Sequence, residues 1–209
     1  MRLRPVTKAF LGLPFFFVTA QNPAWAQIEL LKIPGGSRNA LGSTLAPIDD
    51  VDGDGIPDLA VGAPYFGNSG PNGLNAKGAV FIYSGRDGWK IARLEGRALG
   101  DHLGSALDFV GDSNLDGVPE ILIGAPDEDV LNNPVQSDAG RAYLTSLTNV
   151  CAQPSFMGLG SCILTSYDGY SEGSLSERLG SVVSGLGLVD GDSKPDYGFL
   201  GKPIFPNYL

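Results

Sequence analysis

The apolar residues of this chain fall in short runs bounded by glycine, proline and aspartate, and nowhere at the 3.6-residue spacing of a long amphipathic helix. Ala79-Val80-Phe81-Ile82-Tyr83 and Glu120-Ile121-Leu122-Ile123 are the clearest. Apolar and β-branched runs of this length, closed by turn residues, read as buried strands. The pattern predicts strands at about 43–49, 57–63, 79–84 and 90–95, and again at about 105–111, 119–125, 141–146 and 162–167. The first three strands of the second set repeat those of the first 62 residues later, and the fourth follows 72 residues later. Leu41-Gly42-Ser43 matches Leu103-Gly104-Ser105, Gly62-Ala63-Pro64 matches Gly124-Ala125-Pro126, and Gly78-Ala79-Val80 matches Gly140-Arg141-Ala142. A third copy starts at Leu179-Gly180-Ser181. A repeat of this period indicates a solenoid, propeller or array. Four-stranded antiparallel units repeated radially make a β-propeller. The expected fold is therefore all-β, a partial propeller of about two and three-quarter blades over 41–96, 103–167 and 179–209. Ile28-Glu29-Leu30-Leu31-Lys32-Ile33 reads as a lone fourth strand, so the unit is expected to be part of a longer ring or to assemble with other copies. Exposed blade edges would otherwise invite aggregation.

Between the first two strands of each unit lies a run of ligand-bearing side chains. In the first it is Asp50-Val51-Asp52-Gly53-Asp54-Gly55-Ile56-Pro57-Asp58, and in the second Asp112-Ser113-Asn114-Leu115-Asp116-Gly117-Val118-Pro119-Glu120. Oxygen-bearing side chains fall at positions one, three, five and nine, with glycine at six. Carboxylates packed this closely repel one another unless a hard cation gathers them, and calcium accepts six to eight oxygens in flexible geometry. The seventh residue, Ile56 or Val118, would add a backbone carbonyl. An EF-hand is excluded: it needs a glutamate at position twelve and flanking helices, whereas Val61 and Ile123 stand there, within strands. A bare Asp/Gly turn is the alternative. The third copy has Leu188 at position one and Ser193 at position six, which leaves Asp190, Asp192 and Asp196 as a weaker site. With four carboxylates against three, the first loop is expected to bind more tightly than the second.

Leu-Gly, the Asp-x-Asp-x-Asp-Gly-x-x-Asp loop, Gly-Ala-Pro and Gly-x-Val-x-x-Tyr together resemble the FG-GAP repeat, with Leu-Gly in place of Phe-Gly. That repeat forms the N-terminal propeller of integrin α-chains and of many exported bacterial proteins. The resemblance runs over about 28–203. It implies a structural calcium in each hairpin between strands 1 and 2. It also implies an extracellular or cell-surface protein partner held by loops on the opposite face. Tyr65, Phe66, Asp127, Glu128 and Asp129 are the candidate contacts there.

Composition adds a compartment. Arg2, Arg4 and Lys8 precede an apolar stretch from Ala9 to Ala20, and Ala24-Trp25-Ala26 offers a small-x-small cleavage site. This is the pattern of a secretory signal over 1–26, with the mature chain starting at Gln27. The run is too short for a membrane span, which needs about 20 apolar residues. Cleavage would take the formal charge from −9 to −12, which disfavours nucleic acid and anionic lipid as partners. In an oxidising compartment Cys151 and Cys162 are expected to pair.

An exported hydrolase or lyase acting on polysaccharide or phospholipid is the second class of function, and a purely structural fragment of a surface protein the third. Acidic pairs exist at Asp127/Glu128/Asp129 and at Glu172/Glu177, but glycoside chemistry needs a fixed carboxylate separation. Asp101-His102 lacks a nearby serine elbow. His102 is read as an exposed turn residue, and no enzyme activity is expected.

Overall fold

The computed structural model describes residues 39–67, 75–130, 137–147, 157–158, 162–172 and 175–202. Among them every regular element is a strand. In chain order they are β1 (Thr44–Ile48), β2 (Asp58–Ala63), β3 (Ala79–Tyr83), β4 (Lys90–Glu95), β5 (Ala106–Gly111), β6 (Glu120–Ala125), β7 (Arg141–Ser146), β8 (Met157–Gly158), β9 (Ile163–Asp168), β10 (Ser171–Glu172), β11 (Leu175–Ser176), β12 (Val182–Gly187) and β13 (Asp196–Leu200). β1 to β4 form an antiparallel meander, and so do β5, β6, β7 and β9; β12 and β13 make the third unit as a hairpin. The fold is a partial β-propeller. Each strand expected in the first two units is present to within a residue. The two-residue strands β8, β10 and β11 were not expected; β8 adds to the first sheet in parallel with β4. The segment 28–33 lies outside the described residues.

The inner strands lose their alternation because both of their faces are covered. β3, β6 and β7 are buried at every position, whereas the edge strand β9 alternates between half-buried and exposed. One core lies between the first two blades and gathers Ile48, Val80, Ile82, Leu103, Ile121 and Tyr143. A second lies between blades two and three, where Leu122, Leu144 and Val183 meet Tyr167, Tyr197 and Phe199.

Glycine sets how closely the blades approach. The Leu-Gly turn that starts each new blade rests directly on the backbone of the one before. A methyl on Gly62 would lie 2.3 Å from the Gly104 carbonyl oxygen, and one on Gly124 would lie 1.9 Å from that of Gly180. The leucine of each turn pairs as a parallel bridge with the glycine just before the previous blade's third strand, Gly78 with Leu103 and Gly140 with Leu179. Thr44 adds a clasp by donating its hydroxyl to the Gly104 carbonyl at 2.8 Å. The repeated glycines are thus the contact surface between blades.

Candidate metal centre

The loops β1–β2 and β5–β6 share one backbone design. The position-one carboxylate accepts amides from positions five and six. Asp50 Oδ1 takes Asp54 N at 3.0 Å and Oδ2 takes Gly55 N at 2.6 Å; Asp112 takes Asp116 N at 3.0 Å and Gly117 N at 2.8 Å. The Gly55 amide, foremost among these bonds, holds the Asp50 carboxyl below its usual pKa. At position six Gly55 and Gly117 have φ of +84° and +86°, the left-handed region that favours glycine. The position-nine carboxylate closes the hairpin from behind. Asp58, Glu120 and Asp196 accept the amides of Val51, Ser113 and Val189, each at 2.8 Å.

These turns bring acidic oxygens together in two places. Asp50, Asp52 and Asp54 place one oxygen each within 4.8 Å of one another, and so do Asp112, Asp116 and Glu120. The two groups differ in one respect. Asp58 is buried with both oxygens engaged, because Gly85 N reaches Oδ1 at 3.0 Å. In the second blade the matching amide, Leu147 N, goes to the Pro119 carbonyl instead. Glu120 is fully buried; Ser113 donates its amide and hydroxyl to Oε2, and Oε1 has no hydrogen-bond partner among the described residues. Burial raises the Glu120 carboxyl above its usual pKa, and the hydrogen bonds from Ser113 oppose that rise. A buried, unpaired carboxylate oxygen is costly unless a cation meets it. The all-oxygen donor set around it fits a hard cation.

The third loop keeps part of the design. Asp192 N bonds Asp190 Oδ1 and Lys194 N bonds Asp192 Oδ1. Asp190, Asp192 and Asp196 do not form such a group among the described residues. Leu188 at position one offers no carboxylate to the amides of positions five and six, the bonds that curl the other two loops, and it stands exposed.

The loops at the other end of β2 and β6 hold the remaining candidates. Tyr65 and Asp129 are exposed. Phe66 packs edge-on to Phe81, with Arg93 over its ring. Glu128 is buried, accepting Arg141 Nη1 at 2.5 Å and the Tyr143 hydroxyl at 2.5 Å. Burial pushes Glu128 and Tyr143 to higher pKa. Asp127 bridges two blades, taking His102 Nδ1 at 2.7 Å on one oxygen and Arg178 on the other. Burial pushes the Asp127 carboxyl up, but His102 and Arg178 outweigh it and hold it below the usual value. His102 is therefore not the exposed turn residue the sequence suggested. It does sit in a turn, with φ of 53°, but it is only 8% exposed, with Tyr65 edge-on to its ring. Asp101, Asp127, Glu128, Asp129, Asp138 and Arg141 line a cavity of about 620 Å³ here. Asp101 is buried beside them and accepts the Ala98 amide at 2.6 Å. Of the other acidic pair, Glu177 accepts the Tyr170 amide at 3.0 Å. Cys162 is buried in the first core, and Cys151 lies outside the described residues.

Comparison with known proteins agrees with this architecture. The FG-GAP repeat family matches residues 41–83. Human (Homo sapiens) integrin alpha-7 is 34% identical over 122 residues, covering 55% of this chain and 9% of that protein. Integrin alpha-6 of Gallus gallus is 42% identical over 96 residues, covering 44% of this chain and 8% of that protein. Integrin alpha-V of Gallus gallus is 30% identical over 142 residues, covering 57% of this chain and 13% of its own length. The chain thus spans only a small part of the curated relatives it matches. No helix among the described residues is long and apolar enough to cross a membrane.

Proposed function

We propose that this integrin-like FG-GAP repeat protein is an exported module whose blades are closed around calcium and whose opposite loops bind another protein. The observation that carries the calcium reading is the fully buried Glu120, with one carboxylate oxygen lacking a partner inside an acidic group. In the second loop Asp112, Asn114, Asp116, the Val118 carbonyl and Glu120 would hold the ion; in the first, Asp50, Asp52, Asp54, the Ile56 carbonyl and Asp58. Calcium there is structural. It neutralises carboxylates that otherwise repel and ties the ends of each hairpin together. Asp190, Asp192 and Asp196 would bind more weakly.

The resemblance to integrin α-chains supports a protein partner outside the cell, and the basic, apolar and small-x-small N-terminus supports export with cleavage after Ala26. In that compartment Cys151 and Cys162 pair. At the partner face the exposed Tyr65 and Asp129 are better placed to touch a ligand than Phe66 and Glu128, whose side chains are engaged within the fold. The carboxylates beside the cavity support binding over catalysis: Asp127 and Glu128 each hold two partners on their two oxygens.

Calcium titration by calorimetry tests the reading. Two main sites are expected besides the weaker third, with that of the second loop lost in Glu120→Gln. Absence of heat at millimolar calcium in a folded sample contradicts it. N-terminal sequencing of the exported protein should start at Gln27.

A further inference from the structure

The first loop differs from the second in having a positive charge already in place. Arg86 lies in the β3–β4 turn, which is docked onto the loop by the Gly85 amide on Asp58. Its Nε donates to Asp54 Oδ2 at 2.7 Å, and its Nη2 donates to the Asp54 backbone carbonyl. Ser84 Oγ lies 3.5 Å from the same carboxylate oxygen. The other oxygen, Oδ1, accepts the Ile56 amide at 2.8 Å, so both Asp54 oxygens are engaged. Asp54 is one of the three residues whose carboxylates converge in this loop.

In the second loop the matching oxygen, Asp116 Oδ2, meets the neutral Asn114 amide at 2.9 Å. Thr148 stands at the chain position equivalent to Arg86 and carries no charge. The four acidic side chains of the first loop and this arginine leave a net charge of three negatives. That equals the charge of the three acidic side chains in the second loop. Carboxylate count alone therefore no longer favours the first loop.

We propose that Arg86 is an intramolecular occupant of the first loop. Its guanidinium partly neutralises the loop when calcium is absent, and a divalent cation must displace it from Asp54 to bind. The inference rests on the calcium reading of these loops. It predicts opposite effects of one substitution, because removing the arginine takes a counter-ion from the empty loop and a competitor from the filled one.

The test is calorimetric titration of the mature chain with calcium alone, in an Asp112→Asn background that leaves the first loop as the tighter of the remaining sites. Arg86→Gln should tighten calcium binding about 3- to 10-fold, the range set by an exposed ion pair and the nearby like charge. It should also lower the melting temperature in EDTA, while Arg86→Lys should restore part of both effects. If the double variant fails to fold, the same comparison is made with Arg86→Gln alone, resolving the two sites. Measurable but unchanged or weaker binding in Arg86→Gln overturns the proposal and leaves the calcium site standing. No binding by the first loop with or without Arg86 overturns both.

Discussion

Gly124 and Gly180 meet backbone to backbone across the second blade junction: a methyl group on Gly124 would fall 1.9 Å from the Gly180 carbonyl oxygen. The same contact recurs one blade earlier between Gly62 and Gly104, at 2.3 Å. Both partners are main chain, so a side chain cannot be accommodated by a change of rotamer.

Gly124→Ala should therefore destabilise the protein by about 3 kcal/mol or more, the upper end of core overpacking. Gly117→Ala is the control. Gly117 has a φ of +86°, in the left-handed region that Gly124 does not occupy, and no atom of the described residues lies within 4 Å of the added methyl. Its cost should be only the left-handed backbone strain, about 1 kcal/mol. Urea unfolding of both variants in EDTA separates the two effects.

Glu120→Gln removes a buried charge whose Oε1 has no partner. Stability without calcium should hold or rise by up to about 1 kcal/mol, because the desolvation of that charge is relieved. The calcium-dependent rise in melting temperature should shrink at the same time. Differential scanning calorimetry with and without calcium reads both.

Leu115 occupies the left-handed region at φ of 63° and is 55% exposed, where the first loop has Gly53 at φ of 82°. Leu115→Gly should raise stability by about 0.5–1 kcal/mol. It relieves strain of about 1–2 kcal/mol, offset in part by the entropy of glycine in the unfolded chain. Chemical denaturation checks it.

Asp127 joins His102 and Arg178 across two blades, and its carboxyl is held below the ordinary value of 3.8. A depressed folded pKa gives stability that is present above the unfolded value and is lost as pH falls through the folded one. At pH 7 Asp127→Asn should cost about 1–2 kcal/mol, the loss of charge-assisted hydrogen bonds. The gap between variant and wild type should close below about pH 4. Urea midpoints at pH 7 and pH 3 give the comparison.

The strands were legible because the chain marks them twice, by apolar runs and by a repeat that sets their register. Val80, Ile82, Ile121 and Ile123 read as core, and they are. The convergence of loop carboxylates was legible from spacing, since a turn with glycine at position six gathers positions one, three and five in the first loop and one, five and nine in the second. What the sequence hid depends on contacts between distant segments. His102 looks like a turn residue because its turn is local, while its burial comes from Tyr65 and Asp127. Glu120 and Asp58 look equivalent; they differ because Gly85 N reaches Asp58 and Leu147 N turns to Pro119. Arg86 lies 32 positions from Asp54 and carries no motif of its own. The tripled glutamate–arginine–tyrosine contact around Glu128 likewise joins strand and loop residues that no short pattern links.

The central claim, that structural calcium ties the hairpin loops of these blades, is tested most directly by thermal melting of residues 27–209 in EDTA and across a calcium series, with magnesium as the control. A ligand that binds only the folded state stabilises it by RT ln(1 + [L]/Kd). The account predicts a melting temperature that climbs with calcium, and a rise that magnesium does not reproduce. A folded protein, by circular dichroism, whose melting temperature is the same in EDTA and in millimolar calcium would contradict it.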